Sequence, residues 1–266
     1  MTLIMGIVNV TPDSFSDGGR YLDRDAAIAH GRALLAEGAH ILDVGGESTR
    51  PGAERVPPEA ERERVIPVVA ALAADGAVVS IDTMNASTAI AAVAAGARIV
   101  NDVSGGLADP ALLAAVAATD ADIALGHWRG PSVDMYAHAD YADIVAEVVG
   151  ELTARMQDAA AAGIPVERMI VDPGIGFGKR GGQNWDVLRN LDAFAALGPR
   201  VLVGTSRKRF LADALGDDAS TPRRDLATAV TSVLAAQAGV WAVRVHDVAA
   251  TRDALTIAEL WGDARG

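Results

Sequence analysis

The stretch VVSIDTMNASTAIAAVAAGARIVN, running from Val78 to Asn101, holds one complete structural unit. Val78–Asp82 is a β-branched run that ends on a carboxylate, and Ala86–Ala95 is Ala-rich with helical spacing. Gly96-Ala97 makes a turn, and Arg98–Asn101 is a second apolar run ending on an amide. Strand, helix and strand in so short a span read as a βαβ unit, whose two strands run parallel.

The same rhythm extends in both directions. Strands are expected at Leu3–Val10, His40–Val44, Val78–Asp82, Arg98–Asn101, Asp122–Leu125, Arg168–Asp172, Arg200–Val203 and Trp241–Val245. Helices are expected at Asp25–Glu37, Pro58–Ala74, Ala86–Ala95, Pro110–Ala118, Asp140–Ala162, Asn184–Leu197, Arg223–Ala238 and Ala250–Trp261. Eight strands alternating with eight helices predict an α/β fold, a closed eight-stranded parallel (β/α)8 barrel; an open doubly wound sheet is the other arrangement with this alternation. The strand runs are almost continuously apolar, as strands covered by helices require. No linker interrupts the pattern, so residues 1–266 read as one domain, and barrels of about 250 residues commonly are. Two βα connections, Thr11–Arg24 and Gly45–Pro57, far exceed the usual length of roughly 2–6 residues and read as loops that close over a site.

Composition narrows the function. Lys and Arg number 23 against 35 Asp and Glu, a formal charge of −12. Neither nucleic acid nor an anionic membrane surface suits such a chain, so an anionic substrate would need a local basic cluster. Cysteine is absent, which removes disulfides, thiolate nucleophiles and Cys-based metal sites. No apolar run is long enough to span a membrane and no signal-peptide pattern opens the chain, so a cytoplasmic location is expected.

The predicted carboxyl ends of the strands carry Asn9, Asp43, Asp82, Asn101, His127, Asp172, Ser206 with Lys208, and Arg244 with His246. The opposite connections, such as Asp75-Gly76 and Leu197-Gly198, are plain turns. Barrel enzymes work at the carboxyl-end face. Asp and Asn also cap helices, which accounts for one such residue but not for polar groups closing all eight strands. Asp82, Asn101 and Asp172 would aim acceptors and an amide into one hole, which suits a flat heterocycle bearing N–H donors. Arg50, Arg207, Lys208, Arg244 and His246 would form a basic rim for a diphosphate or carboxylate. Gly174, Gly176 and Gly178 alternate as a tight turn rather than a dinucleotide fingerprint, and neither a phosphate-binding P-loop nor a zinc-type His spacing occurs.

These segments are specific enough to name a resemblance. Met5–Gly19, which includes Asn9-Val10-Thr11-Pro12-Asp13-Ser14-Phe15-Ser16-Asp17, closely resembles the first signature of the dihydropteroate synthases, and Asp43–Gly52 resembles the second. Ile81-Asp82-Thr83, Asn101–Gly106, Asp172–Lys179, Gly204–Lys208 and Arg244–Val248 follow in the family's order across essentially the whole chain. His127-Trp128-Arg129 is similar to actinobacterial members.

The resemblance implies an eight-stranded barrel that condenses 6-hydroxymethyl-7,8-dihydropterin diphosphate with 4-aminobenzoate. By the same resemblance Asp82, Asn101, Asp172 and Lys208 contact the pterin, with Phe177 and Gly204 in its wall. Asn9, Arg244 and His246 hold the diphosphate, and Mg2+ binds through Asn9. Phe15, Thr49, Arg50, Pro51 and Ser206 surround the aminobenzoate, and Asp17 belongs to the first loop. Asp17, Asp172, Lys208 and Arg244 are the implied catalytic set, and late helices are implied to form a homodimer. One departure stands out: where the family has a Met on the pterin wall, this chain has Gly126, which either leaves the pocket loose or faces space that a neighbour such as Trp128 or Met135 already fills. A related barrel that binds a reduced pterin for methyl transfer and a non-catalytic pterin-binding paralogue are the other readings of these motifs.

Overall fold

A computed structural model describes residues 1–10, 20–47, 55–131, 136–216 and 218–263. Eight parallel strands close into a barrel in chain order. They are β1 (Leu3–Asn9), β2 (Ile41–Gly45), β3 (Val79–Asp82), β4 (Ile99–Asp102), β5 (Asp122–Gly126), β6 (Met169–Asp172), β7 (Arg200–Val203) and β8 (Ala242–Val245). β1 pairs with β2 through Ile7↔Asp43 and with β8 through Leu3↔Ala242, and that second pairing excludes the open sheet.

The helices are α1 (Arg20–Glu37), α2 (Pro58–Ala74), α3 (Ala86–Ala94), α4 (Leu112–Ala117), α5 (Ile144–Ala161), α6 (Gly182–Arg189), α7 (Leu191–Ala195), α8 (Arg209–Leu215), α9 (Thr221–Gln237) and α10 (Val248–Asp263). Local chemistry sets their ends. Pro58 opens α2 where its missing N–H costs nothing, and Asp143 caps α5 by accepting from the Ala146 N–H at 3.1 Å. Ile144, Val148, Leu152 and Ala159 form the buried face of α5, at helical spacing.

Three expectations are corrected. The segment expected as one helix at Asn184–Leu197 is two helices that meet at Asn190, whose side-chain amide donates to the Asp186 carbonyl at 2.8 Å. Such a local bond competes with the helical ladder. A short helix not foreseen, α8, follows β7. Helix α1 starts at Arg20, so the first connection ends earlier than Arg24.

Two packing regions result. The larger core lies between the barrel and its helices. The second lies inside the barrel and comprises Met5, Ile41, Ile99, Ala124, Ile170, Leu202 and Ala242. Side chains alternate along a strand, so the residue two positions further on shares the interior face. That step turns an apolar layer into a mouth layer of Ile7, Asp43, Asn101, Gly126, Asp172, Gly204 and Arg244, which Asp82, two beyond Ser80, completes.

Candidate active site

The mouth layer is tied together by its own charges. Arg244, from β8, donates through Nε to Asp43 Oδ2 at 2.6 Å and through Nη2 to Asp82 Oδ2 at 2.8 Å. Asn101, from β4, donates through Nδ2 to the same Asp43 oxygen at 3.0 Å. Asp43, Asp82 and Asn101 are all buried. Burial pushes the Asp82 carboxyl up to about 7 against the downward pull of Arg244. It also raises Asp172, which Lys208 opposes.

Lys208 enters from the other side. Its ammonium donates to the Ile175 carbonyl and lies 4.7 Å from the centroid of the Phe177 ring. Burial lowers its pKa to about 8, although Asp172 pulls it up. Gly176 makes this approach possible: its φ is +81°, and a Cβ there would stand 2.8 Å from Lys208 Cδ. Asp172 accepts from the Gly174 N–H at 2.7 Å, so the turn after β6 also fixes that carboxylate. Ser206 and His246 join the ends of β7 and β8, with Ser206 Oγ 2.9 Å from His246 Nδ1 and accepting from the His246 N–H at 3.1 Å.

The structure thus brings Asp82, Asn101, Asp172, Phe177, Gly204, Ser206, Lys208, Arg244 and His246 to one end of the barrel, with half-buried Asn9 at the end of β1. Phe15, Asp17, Thr49, Arg50 and Pro51 lie outside the described residues. Arg207 does not join a basic rim. It sits at φ 57° and pairs with Asp225 of α9 at 2.7 and 2.9 Å, because the left-handed backbone turns its side chain toward that helix. Arg244 lies across the mouth layer, drawn inward by two carboxylates, rather than on the rim.

Of the two readings of Gly126, filled space is the one the structure bears out. A Cβ built there would meet the backbone of Val103, 2.5 Å from its carbonyl oxygen and 2.6 Å from its Cα. The glycine leaves no gap; the exit of β4 already occupies that space.

A second polar cluster lies behind the turn that carries Phe177, and its combination was not read from the sequence. Lys179, fully buried, donates to the carbonyls of Gly174 and Phe177 at 2.9 and 3.1 Å and approaches His127 Nδ1 at 2.8 Å. His127 Nε2 meets Glu151 at 2.9 Å, and Arg129 Nε donates to Glu151 at 3.0 Å. Burial and then Lys179 depress the His127 pKa to about 4. The sequence signal was Lys179, a lysine closing an otherwise small and apolar turn.

Comparison with known proteins bears on this geometry. A model of the pterin-binding enzyme family matches residues 5–246. The dihydropteroate synthase of Mycobacterium leprae is 52% identical over 263 residues, 97% of this chain and 93% of the relative. The chain belongs to the dihydropteroate synthase family. Solved structures of that family superpose closely. The Xanthomonas albilineans dihydropteroate synthase with 4-aminobenzoic acid has a TM-score of 0.91 and 45% identity, covering 100% of this chain and 93% of that one. The same organism's enzyme in complex with 7,8-dihydropteroate gives a TM-score of 0.87 at 42% identity, covering 100% and 94%. The signature segments of the dihydropteroate synthases coincide here with the strand ends that build the mouth.

Proposed function

We propose that this chain condenses 6-hydroxymethyl-7,8-dihydropterin diphosphate with 4-aminobenzoate, releasing 7,8-dihydropteroate and diphosphate in folate synthesis. The observation that carries this is the set of acceptors Asp82, Asn101 and Asp172 facing the cations Lys208 and Arg244 within one barrel mouth. The acceptors suit the N–H donor edge of a pterin, and the cations suit its ring carbonyl and its departing anion.

An aryl amine is neutral at pH 7, so no strong base is needed to make the nucleophile. The difficult event is loss of diphosphate from the methylene carbon. Asp172 is set to stabilise positive character building on the ring, and Arg244 with His246 to stabilise the departing charge. Ser206 holds the His246 imidazole through Nδ1. Phe177 walls the pterin, and Gly204 leaves room between Lys208 and Arg244. Asp17, Phe15, Thr49, Arg50 and Pro51 belong, on this reading, to loops that surround the aminobenzoate and keep water from a pterin cation.

Asn9 offers an amide oxygen for Mg2+. Among the described residues no group of three His, Asp or Glu gathers at a metal-binding spacing. A single amide fits all the same, since Mg2+ commonly takes one or two protein ligands beside phosphate oxygens and water. Bound there, the ion would supply charge neutralisation for the diphosphate.

A homodimer is part of the proposal. Leu226, Val230 and Leu234 form an exposed stripe on α9, and Ile257, Leu260 and Trp261 are exposed on the neighbouring α10. Paired copies would cover this apolar face. Sulfonamides, as analogues of the aryl amine, should compete with 4-aminobenzoate. On this reading the one barrel carries the reaction, and among the described residues no helix is long and apolar enough to cross a membrane.

The test is direct. Purified protein given both substrates and Mg2+ should release diphosphate and form dihydropteroate. Folded protein that releases none above a blank would sink the assignment, and sedimentation at the monomer mass would remove the dimer.

A further inference from the structure

Asp43 has no solvent exposure, yet two mouth residues depend on it. Its Oδ2 takes Asn101 Nδ2 from β4 and Arg244 Nε from β8. A carboxylate can only accept, so Asn101 must turn its NH2 toward Asp43. The Asn101 carbonyl oxygen is then left for whatever enters the mouth. Were that amide reversed, it would present donors to the donor edge of a heterocycle, and recognition would fail. The same oxygen holds the guanidinium of Arg244 by Nε, which aims Nη2 at Asp82. Asp43 therefore sets the polarity of one recognition group and the orientation of another without reaching the ligand.

We propose that Asp43 is a positioning residue for the pterin: it locks Asn101 as an acceptor and Arg244 across the mouth, and so selects ligands with an N–H donor edge. This rests on the pterin reading above. Neighbouring Ser80 provides the contrast. It stands opposite Asp43 in the β2–β3 register, is buried, and bonds to neither Asn101 nor Arg244.

Two variants that keep the heavy-atom count and branching of Asp43 separate positioning from packing. Asp43→Asn keeps an oxygen for Asn101 and Arg244, whereas Asp43→Leu fills the space and offers no acceptor. Calorimetry with 6-hydroxymethylpterin should show Asp43→Leu weaker than the parent by about tenfold or more, as for loss of a buried hydrogen bond to a charged group. Asp43→Asn should lose less than about threefold, and Ser80→Ala should match the parent. Equal affinities for the Leu and Asn variants would overturn the proposal, because packing alone would then explain the residue. If Asp43→Leu does not fold, Asn101→Asp provides the second route. It sets two carboxylates face to face and should weaken pterin binding, and adding Asp43→Asn should restore it. A pair that recovers no affinity overturns the proposal as well. Parent protein that binds no 6-hydroxymethylpterin instead overturns the pterin reading itself, a result visible before any variant is made.

Discussion

Arg244 Nη2 donates to Asp82 Oδ2 at 2.8 Å, so a cation and an acceptor of the mouth hold each other in place. A carboxylate offers about four acceptor positions, so a pterin N–H that reaches Asp82 can bond beside Arg244. Binding therefore adds a donor to an acceptor that Arg244 already orients.

That acceptor role makes pterin affinity depend on pH. Burial raises Asp82 to about 7, while Arg244 opposes the shift. The carboxylate is the stronger acceptor and the ligand binds it best, so affinity should fall as pH drops through that value. The limiting slope is about tenfold per pH unit. Calorimetry with 6-hydroxymethylpterin between about pH 6 and 8 measures it. Asp82→Asn should bind weakly and lose the fall below about pH 7, keeping only the weakening toward about pH 8 as Lys208, near 8, loses its charge. A parent profile flat between about pH 6 and 7 would contradict the role.

Asp172→Asn should lower kcat by about a hundredfold, some 3 kcal/mol, and weaken pteroate binding much less. The carboxylate is held by the Gly174 N–H and faces Lys208, ready for charge that develops only in the reaction. Unchanged kcat with a raised KM would show that it merely binds.

Gly126→Met should weaken binding of pterin-site ligands and lower the melting temperature. Even its first carbon meets the Val103 backbone, which cannot swing aside as a flexible side chain can. Overpacking of this kind costs about 1–3 kcal/mol. Tighter pterin binding by the variant would mean that β4 yields.

The buried His127 should contribute a specific acid sensitivity. Its pKa is near 4 in the fold because of burial and Lys179, against about 6.5 in an unfolded chain. A depressed folded value means that the unfolded chain binds the extra proton first. The contribution is thus fully present above about pH 6.5 and is lost as pH falls toward 4, amounting to about 3 kcal/mol at most. Asp82, raised in the fold, acts in the opposite direction, so the reading must be a difference. Urea unfolding of parent and His127→Gln at about pH 7 and pH 4.5 should show the parent losing more stability. Equal losses would mean that His127 titrates normally.

Much of this was legible in the sequence because each strand is an apolar run with a polar residue at or near its carboxyl end, and a parallel barrel collects those ends. Asp82, Asn101, Asp172 and Arg244 reach one mouth by that rule alone. What stayed hidden depends on contacts distant along the chain. Gly126 reads equally as missing volume or as filled space until the Val103 backbone is seen beside it. Arg207 reads as one more rim cation until Asp225, on another helix, claims it. Asp43 shares its motif with the other strand ends, but only closure of the sheet brings both Asn101 and Arg244 to one of its oxygens. The break at Asn190 needs a side chain to outcompete its own helix, a choice that propensity does not reveal.

Ring closure also has a kinetic consequence. The Arg244–Asp43 bond joins residues 201 apart in sequence, and the β1–β8 pairing spans nearly the whole chain. Contacts at such separation carry a large loop-closure cost and form late in folding. A chain stalled before closure leaves β1 and β8 as bare edges, open to pairing with another chain. The same chain has not yet joined the arginine to its two carboxylates. During refolding, pterin binding should therefore appear together with protection of the β1 and β8 amides from hydrogen exchange, and well after helix formation is complete.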